Sequence, residues 1–342
     1  MMEKYYAEEI VKDTQYRQEY LDGLNAFLNR EKENADNRRS GYIDPKKFRE
    51  NPEFYREELK KQLGFPLTRP VETPVLAEKI FVTQDGNVNI YRMQLIFFGS
   101  MKFYGLYFEQ TEQKKGSPFI LSLHGGGGTP ELCSSIHMDS ANYNHQTRRL
   151  TDRGANVFAP QLLLWSEDNY GNPHIRTEID GKLRQLGGSI TAFEVWCMQG
   201  CINWFIENEK INAEKIGVAG LSYGGMYSLF LTAVETRIKA CFSCSWFNDE
   251  FVMSWPDWSY RSSADTITSV EVAALVCPRA LVLAMGNKDE IFDSSVSEEN
   301  SCRAEAYYKE WHAEEKYKFY VFEGPHELDK GDAGIDFLFA NL

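Results

Sequence analysis

Residues 220–225 read Gly-Leu-Ser-Tyr-Gly-Gly, between a short apolar run at 215–219 and a run with helical spacing at 223–235. A serine with small residues two positions before and two after it fits a turn between strand and helix that is too tight for a Cβ at those positions. The pattern predicts that Ser222 has a strained backbone and a hydroxyl exposed at a sheet edge. On this motif alone, an ordinary strand-to-helix turn remains the alternative.

Two later strand ends carry the residue types that a nucleophilic serine requires. Asp289 follows one predicted strand in Gly-Asn-Lys-Asp, and His326 follows the next in Glu-Gly-Pro-His, 37 residues later. A serine hydroxyl needs a base, and the base needs a carboxylate to orient it. The order serine, acid, histidine places all three at one edge of a parallel sheet, so we predict Ser222, Asp289 and His326 as a catalytic triad. Asp293 is the rival carboxylate.

A glycine run supplies backbone donors for an oxyanion. His124 is followed by four glycines, 125–128, directly after a predicted buried strand. Bare backbone approaches a substrate closely, and its N–H groups can converge on one oxygen. We expect the N–H of Tyr223 and that of Gly126 or Gly127 to form the oxyanion hole. A phosphate cradle is the weaker interpretation, because the Lys and Ser/Thr of a nucleotide-binding loop are missing.

The surrounding pattern predicts an α/β protein. From about residue 117, short apolar strands alternate with helices, which indicates a mostly parallel sheet covered by helices on both faces. An antiparallel meander is expected at 80–109. Residues 1–70 are predicted as a helical N-terminal extension and 71–342 as the catalytic domain. Two stretches break the rhythm, at about 161–188 and 246–272, and are expected to form small cap insertions.

Composition excludes several classes of protein. There are 37 basic and 50 acidic residues, a net charge of −13, so a nucleic acid is an unfavourable partner. No apolar run reaches the 18 residues of a membrane span, and the first residues lack a signal peptide. Seven scattered cysteines favour reduced thiols and a cytoplasmic location. Neither the cysteine nor the histidine spacing indicates zinc, so we expect no metal and no cofactor.

These motifs together resemble the α/β-hydrolase superfamily. Strand–His-Gly-Gly-Gly-Gly, Gly-Leu-Ser-Tyr-Gly-Gly, strand–Gly-Asn-Lys-Asp and strand–Glu-Gly-Pro-His are similar to its acetyl xylan esterase-like and dienelactone hydrolase-like branch, over about residues 80–342. The resemblance implies the α/β-hydrolase fold and an esterase that removes small acyl groups such as acetyl. The residue before Ser222 is Leu221, whereas hormone-sensitive-lipase-like esterases usually have Asp at that position.

We therefore predict a serine carboxylester hydrolase acting on a small-molecule ester. A peptidase or amidase, a carbon–carbon bond hydrolase, and a non-catalytic binding protein on the same scaffold remain alternatives. His137, Trp165 and Trp246 are candidate substrate-binding residues, although cap-packing aromatics would look the same in sequence. The N-terminal helices or the edge of the meander are candidates for a homodimer contact.

Overall fold

The computed structural model describes residues 10–112, 116–136, 139–165, 171–209, 211–253 and 255–342. In these residues, nine strands form one sheet in the order β1-β2-β3-β5-β4-β6-β7-β8-β9. Strands β1 to β3 form an antiparallel meander that joins β5 antiparallel, and β4 to β9 are parallel to one another. The strands are β1 Val75–Asp85, β2 Val88–Phe97, β3 Met101–Gln110, β4 Phe119–Leu123, β5 Asn156–Pro160, β6 Ile216–Leu221, β7 Ile238–Cys244, β8 Ala280–Gly286 and β9 Tyr317–Phe322.

Helices occupy both faces of this sheet. Alternate residues of β4 separate two apolar clusters, because successive side chains of a strand point to opposite faces. Phe119 and Leu121 join the larger cluster with α7 and α8, and Ile120 joins the smaller one with α5 and α11. The predicted α/β architecture, a mostly parallel sheet covered on both faces, is confirmed. The helices are α1 Ile10–Tyr42, α2 Pro45–Glu50, α3 Pro52–Leu63, α4 Pro130–Cys133, α5 Gln146–Asp152, α6 Ile175–Gln185, α7 Ile190–Asn208, α8 Tyr223–Val234, α9 Ser269–Ala274, α10 Ser294–Glu310 and α11 Ala333–Ala340.

The N-terminal region is helical, as the sequence predicts. Asp44 and Asn51 cap α2 and α3, and each helix begins with proline, whose missing N–H costs nothing at that position. Phe48 and Leu59 are fully buried in the larger apolar cluster, so α2 and α3 share the core of the sheet. The first half of α1 is exposed. The division of the chain at residue 70 stays a prediction.

The two cap segments lie after β5 and after β7. The described part of 161–188 contains α6, and the described part of 246–272 contains two short 3-10 turns, Pro256–Trp258 and Ser263–Asp265, before α9 begins. Neither segment adds a strand to the sheet within the described residues. In the part of the chain that the structure describes, no helix is both long and apolar enough to cross a membrane.

Candidate active site

Ser222 lies in a strained turn between β6 and α8. Its backbone has φ 59° and ψ −122°, a conformation that L-residues rarely adopt. The turn depends on glycine at two neighbouring positions. A Cβ at Gly220 would collide with the carbonyl of Gly224, and one at Gly224 would collide with the carbonyl of Leu123. The N–H of Ser222 donates to the carbonyl oxygen of Cys244 at 2.8 Å, which fixes the turn to the end of β7.

Asp289 and His326 meet at the ends of β8 and β9. Nδ1 of His326 lies 2.8 Å from Oδ2 of Asp289, whose side chain is fully buried. The other carboxylate oxygen, Oδ1, accepts the backbone N–H groups of Ile291 and Phe292 at 2.9 and 3.0 Å. An ionised carboxylate only accepts hydrogen bonds, so Nδ1 donates and Nε2 carries the free lone pair. The imidazole therefore has the tautomer that a general base requires.

The end of β7 connects this pair to Ser222. Cys244 accepts the N–H of Ser222, and the hydroxyl of the next residue, Ser245, donates to the carbonyl of Glu327 at 3.1 Å. Because β6 to β9 are adjacent and parallel, the three candidate residues occupy one edge of the sheet. Asp293 lies elsewhere: it caps α10, where its carboxylate accepts the N–H and hydroxyl of Ser295.

The backbone hydrogen bonds of the glycine run distinguish its members. Three of its four N–H groups already have acceptors in the structure: Gly125 donates to the Tyr143 hydroxyl at 2.9 Å, Gly127 to the Trp165 carbonyl at 2.7 Å, and Gly128 to the Gly125 carbonyl at 3.1 Å. Among the described residues, the N–H of Gly126 has no acceptor. The expectation that Gly127 is an oxyanion donor is therefore corrected, because its N–H is already used, and Gly126 remains.

The glycine run also lies beside the nucleophile turn. A Cβ on Gly125 would lie 3.0 Å from that of Ser222, so the two backbones approach closely. Tyr223 is the first residue of α8, where a backbone N–H has no partner within the helix. Its N–H and that of Gly126 are thus two backbone donors available near Ser222.

His124 anchors the glycine run from inside the protein. Its Nε2 accepts the N–H of Leu162 at 3.0 Å, and its Nδ1 lies 2.9 Å from the carbonyl oxygen of Gly125, to which it donates. Burial lowers the pKa of His124 to about 4, so the ring is neutral and keeps both hydrogen bonds at neutral pH. The sequence pattern predicts no role for His124, which is recognised only as the residue before the glycines.

A buried network of charged side chains surrounds Arg176, and the sequence does not predict it. Arg176 Nε lies 2.7 Å from the carboxylate of Asp257, and its terminal nitrogens contact Glu194 at 3.3 Å and the Tyr227 hydroxyl at 2.9 Å. The Tyr223 hydroxyl donates to the same Asp257 oxygen at 2.9 Å. Arg176 belongs to one cap segment and Asp257 to the other, and both tyrosines are on α8. The network therefore connects both cap segments to the helix that starts at the nucleophile.

The candidate substrate-binding residues differ in position. Trp165 is 41% exposed, and a Cβ on Gly126 would collide with its ring; the ring also packs edge-to-face on Tyr223, with centroids 4.9 Å apart. Trp246 is only 2% exposed and packs on Phe230 and Trp258. Its expected place at the site is corrected, because packing against α8 puts it in the core. His137 lies outside the described residues.

Trp255 is a further aromatic neighbour of these residues. Its ring centroid lies 5.7 Å from that of Trp165 and 5.9 Å from that of Tyr223. These rings adjoin both candidate oxyanion donors. Within the described residues, no group of three or more His, Cys, Asp or Glu side chains is placed to hold a metal ion.

Known proteins share this architecture. The chain superposes on a protein of Bacteroides fragilis NCTC 9343 named a "putative acetyl xylan esterase" with a TM-score of 0.63 and 16% identity, over 88% of this chain and 84% of that one. It superposes on a glucuronoyl esterase from Solibacter usitatus with a TM-score of 0.65 and 12% identity, over 84% and 91% of the two chains.

Sequence comparison finds a further likeness. "Putative hydrolase YtaP" of Bacillus subtilis (strain 168) is 22% identical over 250 residues, which is 69% of this chain and 81% of that protein. No protein-family model matches the chain. At these identities, the likeness is one of fold.

Proposed function

Because the chain has the α/β-hydrolase fold, we propose that it is a serine carboxylester hydrolase that acts through an acyl-enzyme on Ser222. The observation that carries the proposal is the 2.8 Å hydrogen bond between His326 and the buried side chain of Asp289, at the same edge of the sheet as the strained Ser222. Acyl transfer to a serine uses each of these three groups: the nucleophile, its base and the carboxylate that orients the base.

The first half-reaction forms the acyl-enzyme. His326 Nε2 takes the proton of the Ser222 hydroxyl as its oxygen attacks the ester carbonyl. Asp289 stabilises the imidazolium and keeps Nδ1 protonated throughout. The N–H groups of Tyr223 and Gly126 donate to the oxyanion of the tetrahedral intermediate. The imidazolium then gives its proton to the leaving alcohol, and the ester bond breaks.

The second half-reaction releases the acid. A water molecule gives a proton to the same Nε2 and attacks the acyl-enzyme, the oxyanion forms again at Tyr223 and Gly126, and the Ser222 oxygen leaves with the proton. No cofactor takes part in either half-reaction as we propose it.

The aromatic rings beside the donors support a short acyl group. Trp165, Tyr223 and Trp255 adjoin one another at 4.9–5.9 Å between ring centroids, next to the place where the carbonyl oxygen would be held. We infer that this aromatic wall limits the length of the acyl group. One structural neighbour is named for activity on acetyl xylan, so acetyl esters of small molecules are the substrates we propose first.

The proposal extends to the organisation of the chain. We assign catalysis to 71–342 and treat 1–70 as an extension, of which α2 and α3 support the core. All seven cysteines are free, and six of them are buried, which supports a reducing compartment such as the cytoplasm.

Hydrolysis of p-nitrophenyl acetate tests the proposal. Ser222→Ala should abolish turnover while leaving the thermal unfolding midpoint close to that of the wild type. Ser295→Ala is the matched control, because that serine is exposed and its hydroxyl contacts only the helix cap Asp293. Turnover by Ser222→Ala at the wild-type kcat/KM would refute the assignment of the nucleophile.

A substrate panel separates the alternative reactions. Wild-type protein is given acetyl esters, aminoacyl anilides and β-diketones. Preference for the anilides would indicate an amidase instead of an esterase. Preference for the diketones would indicate a carbon–carbon bond hydrolase. No turnover of any of the three would favour a binding protein.

A further inference from the structure

The first half of α1 is an exposed helix with large apolar side chains. Every residue of 11–30 is exposed, so no side of this half is covered by the described residues. At 1.5 Å per residue, the segment is about 30 Å long. Tyr20 is 75% exposed and Tyr16 62%. A contiguous apolar surface that is exposed along a helix segment of this length typically marks an interaction site on a folded protein.

Most of the large apolar side chains share one side of the helix. Val11 lies on the opposite side, which is otherwise mostly polar, and with 3.6 residues per turn the other six fall within one arc of about 140°. Its members are Tyr16, Tyr20, Leu21, Leu24, Phe27 and Leu28. We call this the α1 face.

Charges on the α1 face identify its occupant. Arg17 and Glu31 point to the same side and lie seven residues before and seven after Leu24. In an antiparallel pair centred on Leu24, Arg17 of one copy lies at the level of Glu31 of the other, twice by symmetry. Arg17 also pairs with Asp13 of its own helix, and the planar guanidinium has donors for both carboxylates. A parallel pair would instead place Arg17 against Arg17 and Glu31 against Glu31.

We propose that two copies of this chain associate through their α1 faces, antiparallel, with Leu24 at the twofold axis. Tyr20 of each copy then lies level with Leu28 of the other, and Leu21 with Phe27. The exposed parts of the six side chains amount to roughly 600 Å² per copy, so a pair buries about 1,200 Å², above the minimum for a specific interface.

A lipid surface fits the α1 face less well. Helices that lie on anionic membranes carry lysine and arginine on their polar side. Here the polar side includes Glu19 and Asp22, and the whole chain has a net charge of −13. The mixed signs on the α1 face suit a partner of the same sequence.

Sedimentation of the full-length protein tests the proposal. The protein concentration should run from about 1 to about 100 µM, because a small interface is expected to have a dissociation constant on the order of micromolar. We expect wild-type protein to reach twice the 39.4 kDa chain mass. Leu24→Asp should give a monomer throughout, and because this residue is exposed the helix content should stay unchanged by circular dichroism.

Charge reversal supplies the sharper test. Arg17→Glu and Glu31→Arg should each weaken association at least tenfold, and the double variant should recover it, because each copy again meets an opposite charge. Asp22→Arg, on the polar side, is the matched control and should behave like the wild type. A monomeric wild type, a double variant no better than the single variants, or equal weakening by Asp22→Arg would each overturn the proposal. None of these results depends on the chemistry proposed for Ser222.

Discussion

Asp289→Asn changes the charge at the candidate site while almost preserving shape. Oδ1 of Asp289 accepts the N–H groups of Ile291 and Phe292, so an asparagine keeps its carbonyl oxygen there and turns its NH₂ group toward His326. Nδ1 of His326 must then accept, and the imidazole proton moves to Nε2. In that tautomer Nε2 has no lone pair to take the proton of Ser222.

The expected loss is large and confined to kcat. The wrong tautomer in a Ser-His-Asp site costs about 10⁴-fold in kcat, which corresponds to about 5 kcal/mol in the activation free energy. KM for p-nitrophenyl acetate should change little, because the substitution touches no proposed substrate contact. The thermal unfolding midpoint, measured on the same samples, should fall by only a few degrees, since the two backbone hydrogen bonds to Oδ1 survive.

Asp293→Asn is the matched control for this experiment. Asp293 is four residues away and exposed, and asparagine caps a helix about as well as aspartate does. Its kcat should stay within twofold of the wild type. A kcat for Asp289→Asn within tenfold of the wild type, or an equal loss in Asp293→Asn, would contradict the role assigned to Asp289.

Three further predictions concern the surroundings of the site. Arg176→Met leaves two carboxylates buried without their cation and should lower the free energy of unfolding, measured in urea, by about 3–5 kcal/mol; a loss below 1 kcal/mol would contradict the network. The pKa of His124 is about 4 in the folded state and about 6.5 in the unfolded state, so its contribution to the free energy of unfolding is fully present above pH 6.5. As the pH falls to 4, the unfolded state binds the proton first, and the free energy of unfolding falls by up to about 3 kcal/mol. Urea titrations at several pH values should show a smaller fall in His124→Asn. Gly126→Ala pushes the new methyl group against the Trp165 ring and should reduce kcat/KM. The same substitution made in Trp165→Ala should cause a loss about tenfold smaller, whereas equal losses in the two proteins would rule out the contact.

The fold was predictable from the sequence because its signals are local. The spacing of Gly220 and Gly224 around Ser222 reports a turn in which a Cβ collides with backbone, and this requires no knowledge of distant residues. The strands before Asp289 and His326 are short apolar runs, and parallel strands end at the same edge. The helix starts at Asp44-Pro45 and Asn51-Pro52 also follow from capping chemistry within a few residues.

What the sequence could not predict depends on packing between distant segments. Arg176 and Asp257 are 81 residues apart, in two cap segments without periodic patterns, and neither residue has a partner nearby in sequence. Trp165 and Trp246 look alike in sequence, yet one lies at the glycine run and the other in the core. The difference between Gly126 and Gly127 rests on one hydrogen bond to the carbonyl of Trp165.

Labelling with a fluorophosphonate, followed by mass mapping of peptides, tests whether Ser222 is an activated nucleophile. A serine activated by His326 and Asp289 gives its proton to the imidazole and attacks the phosphorus of the probe, and fluoride leaves from phosphorus. We therefore expect one mass addition, on Ser222, in the wild-type protein. His326→Ala should lose the label while keeping the wild-type circular dichroism spectrum. A folded wild-type protein that takes no label, or a label on Ser222 that persists in His326→Ala, would contradict the proposed catalytic serine.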